Sequence, residues 1–357
     1  MSFLSQVAEK PYLLAVICYS DTDNTMIKQL CALLIIMTLT LMSHAQDIHF
    51  TDFRLHPLAI NPAQTGAFHG TARIGAIYRD QYRPFISQAF QTSAFYVDSP
   101  IMYGLKENHW IGVGLSVFSD KAGDIGYKSV GTHLHGAYHL GLDKEMTSVI
   151  TLGARYGQVM KSVTQGESAI FGDELADPNI SSLDRAMIED FSRSFSDVGL
   201  GLLFKAQLND RSGIQLGVSL DHLIKSSKSR GLVNQRWNMH ATYSYDVSSR
   251  FRVDPTLYYY QEQTTQIFVP QINTAYHVNP EKTLWLRGGI GYRTNDAIQF
   301  LLGATFNDWT VGLSYDLTIS QAAEATDNFG ALELGVNKIL KLYKEPEVDP
   351  IILCPRF

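Results

Sequence analysis

Cysteine is scarce in this chain, with three in 357 residues. Cys18 and Cys31 lie in a stretch read below as removed before the protein matures. Only Cys354 is then left, which excludes an internal disulfide framework and a cysteine metal cluster. Cys354, in the closing "LCPRF", is either an incidental thiol or an intermolecular contact point. Charge is sparse as well, at 18 % of residues with a net charge of −6. No basic stripe appears, so nucleic acid is not an expected partner. The chemistry-bearing motifs are missing too. There is no Gly-x-Ser-x-Gly elbow. The pairs Gly112/Gly114, Gly199/Gly201 and Gly289/Gly291 fall inside strand-like segments, not at a strand-to-helix turn where a phosphate loop would sit. The expectation is a non-enzymatic protein with no cofactor; a Ser, His and Asp triad assembled in space is the enzymatic alternative.

Long apolar runs are confined to the start. In "MIKQLCALLIIMTLTLMSHAQD", Lys28 precedes an apolar stretch over 30–42, followed by the small-residue cleavage site Ser43-His44-Ala45. This reads as an export leader with the mature chain beginning at Gln46. A membrane anchor is the alternative, but about 13 apolar residues fall short of the ~20 that a helical span needs. Residues 1–25 are either an over-extended start, with Met26 the initiator, or a genuine extension. The organisation expected is residues 1–45 as extension plus leader, 46–69 as an extended periplasmic segment, 70–341 as a barrel and 342–357 as a tail.

What is abundant is tyrosine and phenylalanine, 18 of each, and glycine, 27. They fall into a two-residue rhythm, and successive side chains of a strand face opposite sides. In "GIQLGVSLD", Ile214, Leu216, Val218 and Leu220 oppose Gln215, Gly217, Ser219 and Asp221. In "KTLWLRGGIGYR", Leu284, Leu286, Ile290 and Tyr292 oppose Trp285, Arg287 and Arg293. About fourteen segments of roughly ten residues repeat this pattern. They start near Gly70, Ala89, His109, Gly126, Thr147, Phe195, Ser212, Arg236, Phe251, Ile267, Lys282, Ala297, Asp308 and Asn328. An all-β transmembrane antiparallel barrel of about 14 strands follows. A water-soluble sandwich also alternates, but it has no reason to sort its links by length. Here the long links, 160–194, 223–235 and 321–327, follow odd strands. Those after even strands are mostly short, at 209–211, 248–250, 279–281 and Asn307, with 99–108 fitting less well. Short turns on the periplasmic side and longer outer loops are the mark of a barrel in the outer membrane. Candidate interface aromatics are Tyr258–Tyr260, Trp285, Tyr292, Trp309 and Tyr315.

Three places could carry function. His133, His135 and His139 share one strand face, either as a metal site or as polar lining of a wet lumen. The loop "GESAIFGDELADPNISSLDRAMIEDF" is acidic, and calcium is possible in it, but the spacing of a calcium loop is absent. Within it Asp177 and Pro178 are candidate partner-binding or structural residues. Ser182 could cap a short helix with Leu183, Met187 and Phe191 on one side, there to plug the lumen or meet a partner. The third place is "FRLHPLAINPAQTGAF", 53–68. Pro57 and Pro62 argue against helix, so an ordered extended segment is expected, on the periplasmic side or folded into the barrel mouth. Asn61, Pro62 and Gly66 are expected to shape it. A plain linker is the alternative.

These residues also resemble a known family. "QDIHFTDFRLHPLAINPAQTGAFHG" resembles the mature start of the PorP/SprF family of Bacteroidetes. "YRDQYRPF", "FSDVGLGLLF", "WNMHATYSYDV", "LWLRGGIGYR", "GLSYDLTIS" and "CPRF" follow in the family's order. His56 stands where the family usually has Asn, and Tyr82 where Trp is common. The resemblance implies an outer-membrane barrel accessory to the type IX secretion system. Such a protein supports export or surface anchoring of cargo, including gliding adhesins. Its expected partners are secreted cargo, other secretion components, a periplasmic peptidoglycan-linked protein and outer-membrane lipid. A general outer-membrane channel or small-solute transporter is the alternative function.

Overall fold

In a computed structural model of the chain, the described residues are 48–84, 90–101, 108–123, 126–163, 191–224, 233–279 and 283–342. The leader region 1–45 and the tail beyond Leu342 lie outside them. Among the described residues are fourteen strands: β1 (Ala72–Gln81), β2 (Phe90–Ile101), β3 (His109–Ala122), β4 (Tyr127–Gly141), β5 (Ser148–Val163), β6 (Ser192–Asn209), β7 (Ser212–Asp221), β8 (Arg236–Ser248), β9 (Phe251–Glu262), β10 (Thr265–Asn279), β11 (Leu284–Arg293), β12 (Ala297–Phe306), β13 (Trp309–Thr318) and β14 (Phe329–Leu340). Each pairs antiparallel with its sequence neighbours. β1 pairs with β14 from Ala72↔Leu340 to Gln81↔Ala331, which closes the barrel and leaves no free sheet edge. The expected strand starts hold closely, the furthest being β6, which begins at Ser192 instead of Phe195.

Side chains obey an inverted rule. Leu134, Leu152 and Leu302 point outward and are 63 %, 62 % and 66 % exposed, while His139, Asn273, Gln299 and Glu333 point inward and are buried. Apolar outside and polar inside is what lipid demands of a closed sheet, whose backbone groups satisfy one another. No described helix is long and apolar enough to cross a membrane, so the strands do the crossing. Opposite-facing alternation in the sequence therefore predicted the faces correctly, but not every aromatic. Tyr292, Trp309 and Tyr315 fall on the outward face. Tyr258 and Tyr260 are buried inside, where they pack with Phe53, Ile60 and Val269. Trp285 stacks on His277, their centroids 4.2 Å apart.

The two mouths differ. One gathers the links after even strands, including the two-residue links 210–211, 249–250 and 307–308. Asn307 and Asp308 both have positive φ, 48° and 65°, the backbone of a tight hairpin turn whose twist matches the strands. The other mouth gathers 164–191, 222–235 and 319–328; the last carries a short helix, α2 (Ala323–Thr326). Sorting by parity is not complete. The links 102–108 and 142–147 at the first mouth are longer than 263–264 at the second.

Candidate functional site

The lumen is occupied by the chain's own residues ahead of β1. Residues 48–71 are not extended. They fold into a 3-10 turn at Phe53–Leu55, one turn of α-helix, α1 (Pro57–Ile60), and a second 3-10 turn at Pro62–Gln64. The two prolines cause this instead of preventing it. Each sits at the first position of its turn, where the missing N–H would have no partner anyway and the fixed φ suits a helix. Each proline-led turn has a capping side chain: His56 Nδ1 accepts the Ala59 N–H at 3.1 Å, and Asn61 Oδ1 accepts that of Ala63 at 2.9 Å. As an acceptor through Nδ1, the His56 imidazole does the work an Asn would do there.

Three sets of contacts hold the segment, one at each level of the barrel. Near the long-link mouth, the Glu333 carboxylate accepts the backbone N–H groups of Thr51 and Asp52, both at 2.8 Å. Thr51 Oγ1 donates to Asp316 at 2.8 Å, and Gln271 donates to the Thr51 carbonyl at 3.0 Å. Two arginines balance the two carboxylates. Arg79 donates to Asp316 at 2.8 Å and reaches Glu333 at 3.4 Å, and Arg293 donates to Asp316 at 2.7 Å. All four side chains are buried.

At mid-depth the wall is notched by glycine. Leu55 fills the space above Gly312 and Gly335, where an added Cβ would lie 2.7 and 2.6 Å from its Cδ1. A Cβ at Gly201 would lie 2.0 Å from Asn61 Oδ1, and one at Gly153 would lie 2.3 Å from the Ala63 nitrogen. In that notch Asn61 Nδ2 donates to the carbonyls of Leu202 and Val218, at 3.0 and 3.2 Å. Ser219 donates to the Ile60 carbonyl at 2.7 Å.

Near the short-turn mouth, the wall grips the backbone of 64–67. Asp98, held by Arg73 in a two-point pair at 3.0 and 2.8 Å, accepts the Gly66 N–H at 2.8 Å. His139 donates to the Thr65 carbonyl at 2.8 Å, Trp110 to that of Gly66 at 3.1 Å and Lys205 to that of Ala67 at 2.9 Å. The indole of Trp110 lies flat on His139, centroids 4.5 Å apart. Gly66 has φ +69°, and a Cβ on it would come within 2.7 Å of the Gly112 Cα, so two glycines let segment and wall touch.

Of the residues singled out in the sequence, the structure thus places Asn61, Pro62 and Gly66 within the lumen segment. Asp177 and Pro178, with the acidic loop, lie outside the described residues. The three histidines line the lumen separately. His133 pairs with Asp197 at 2.9 Å, His135 with Ser116 at 2.8 Å, and His139 with Thr151 and Thr65. Among the described residues no group of three His, Cys, Asp or Glu could hold a metal ion. Sequence reading missed Arg79, Asp98, Asp316 and Glu333. Their signal was a charged side chain on the non-apolar face of a strand; Asp316 stands in "GLSYDLTI" and Glu333 in "ALELGV".

Asn61→Ala removes a cap and two hydrogen bonds to the wall, leaving the Leu202 and Val218 carbonyls without this donor. The expected loss is about 1–3 kcal/mol, read as a lower midpoint for heat-induced unfolding of the detergent-solubilised barrel. Asn61→Asp retains the cap but buries a carboxylate against two carbonyl oxygens, so its midpoint should be no higher than that of the alanine variant.

Several solved structures resemble this chain in fold. They include a Ralstonia pickettii toluene transporter, with 9 % identity, TM-score 0.47, and coverage of 78 % of this chain and 90 % of that one. The Pseudomonas putida toluene transporter TodX has 13 % identity and TM-score 0.45, covering 82 % and 93 %. A Pseudomonas aeruginosa FadL homologue has 9 % identity and TM-score 0.45, covering 78 % and 92 %. No curated protein matches the chain. The family model described as type IX secretion system membrane protein PorP/SprF matches residues 42–337, most of the chain and the whole of β1 to β13. The chain is a member of the PorP/SprF family of type IX secretion membrane proteins, and its place is the outer membrane.

Proposed function

We propose that this barrel is an accessory of type IX secretion that supports export or surface anchoring of cargo proteins, without enzymatic activity of its own. The observation that carries the reading is the family match over residues 42–337. The lumen agrees with it. A diffusion channel needs a passage, whereas here residues 48–71 run through the barrel and are gripped at three levels. Work on cargo then falls to the mouths. The long links, above all 164–191 with Asp177 and Pro178, are the proposed contact with exported protein. The short-turn mouth is the proposed meeting place with other secretion components, a periplasmic peptidoglycan-linked protein among them. Asn61, Pro62 and Gly66 serve by holding the lumen segment in shape.

Affinity purification from native outer membranes should recover other secretion components, and deletion of the gene should strand a surface protein in the periplasm. Recovery of the barrel alone, with secretion intact, would replace this reading with the channel. In that case the purified protein should conduct ions when reconstituted.

A further inference from the structure

The lumen segment has a direction, and it runs opposite to the first strand. Ile48 is placed by Arg236, the first residue of β8, whose guanidinium donates to its carbonyl at 2.9 Å. The His49 ring stacks on Tyr260, two residues before the end of β9. Even strands start, and odd strands end, at the long-link mouth, so residues 48 and 49 lie there. At the other end of the segment, the Thr71 N–H donates to the Leu340 carbonyl at 2.7 Å, and Leu340 closes β14 at the short-turn mouth. Between them the contacts descend in order: Thr51 with Glu333, Asn61 with Gly201, Thr65 with His139, Ala67 with Lys205. The chain crosses the barrel once inside the lumen and turns back at 70–71. It then crosses again in the wall as β1, about 33 Å long at ~3.3 Å per residue.

In barrels of this kind the long links face the outside of the cell. We infer that the amino end of the mature protein is presented at the cell surface, on the same face as the long links, and not in the periplasm where strand counting alone would leave it. An export leader ending at Ala45 leaves two residues ahead of Ile48. They reach at most about 7 Å, too little to return to the opposite mouth. The inference holds whether or not the barrel serves secretion; it rests on the course of the chain and on removal of a leader at Ala45.

Site-directed labelling of the full chain in living cells tests it. In a Cys354→Ser background, single cysteines are placed by Asp47→Cys at the amino end, Ile224→Cys beside the long-link mouth and Asp210→Cys in a short turn. Intact cells are treated with a charged, membrane-impermeant maleimide. Positions 47 and 224 should label to a similar extent, and position 210 only after the cells are broken. Labelling at 47 that follows 210 instead of 224 would overturn the inference. So would labelling at 210 in intact cells while 224 stays silent, or no labelling at 47 even after lysis. Heat-modifiable migration of each variant reports that the barrel is assembled. Should Asp47→Cys fail that check, a Gly-Ser-Cys insertion between residues 47 and 48 carries the same reporter and is read by the same criteria.

Discussion

Arg79→Met should destabilise the protein by about 3–5 kcal/mol, the usual cost of removing one partner from a buried ion pair. Arg79 is 3 % exposed and bonds Asp316 and Thr51 at 2.8 Å while reaching Glu333. Without it, Asp316 retains Arg293 but Glu333 loses its arginine, and those same carboxylates hold the start of the lumen segment. The loss therefore has two readouts. The midpoint of heat-induced unfolding in detergent falls, and protease reaches residues 48–56. Arg79→Lys retains the charge without the two-armed geometry and should fall between wild type and methionine. Combining Arg79→Met with Asp316→Asn removes one charge of each sign, so the double variant should cost less than the sum of the singles. Additive losses, or an unchanged midpoint for the methionine variant, would contradict a coupled network.

The second large effect is expected on permeability. Gly112→Val would place a Cβ 2.0 Å from the Thr65 carbonyl oxygen and 2.6 Å from its carbon, both main-chain atoms that no rotamer change can move away. The wall strand has partners on both sides, through Pro100 and Ala137, so the lumen segment yields first. Overpacking of this kind costs about 1–3 kcal/mol, a shift of roughly 5–150-fold in the ratio of docked to undocked segment. Wild-type protein in planar bilayers should be nearly silent, and Gly112→Val should show frequent openings while its barrel still migrates as folded. Gly136→Val is the control: a Cβ there meets nothing within 4 Å, and its conductance should match wild type. Silence of Gly112→Val would mean the segment can be lifted at this point without opening a path.

The barrel was legible because its physics is local. Alternation at a period of two, small residues on one face and a partial sorting of link lengths by parity are readable along the chain, and strand starts such as His109, Ser212, Arg236 and Phe251 are met residue for residue. The lumen segment was only half legible. Its apolar content set it apart from a linker, and Asn61, Pro62 and Gly66 do lie within it. Their setting is not local, however. The notch that receives Asn61 is made by Gly201 and by carbonyls of Leu202 and Val218. Pro57 and Pro62 misled because a proline excludes the interior of a helix but favours its first turn, and three-residue turns leave no periodicity to detect. Tyr258 and Tyr260 misled for a related reason. An aromatic near a strand end suits a membrane interface, and nothing in the strand announced that Phe53 would come to meet it from within.

The grip of Glu333 on Thr51 joins residues 282 positions apart. One of the earliest contacts along the described chain is therefore among the last that synthesis makes possible. Until β14 is delivered, the backbone N–H groups of Thr51 and Asp52 have no carboxylate to receive them, and the cylinder has no seam to shut. A chain truncated before β14 would lose its closing strand and the Glu333 end of its amino-terminal anchorage in one stroke, leaving an open curved sheet in place of a smaller barrel.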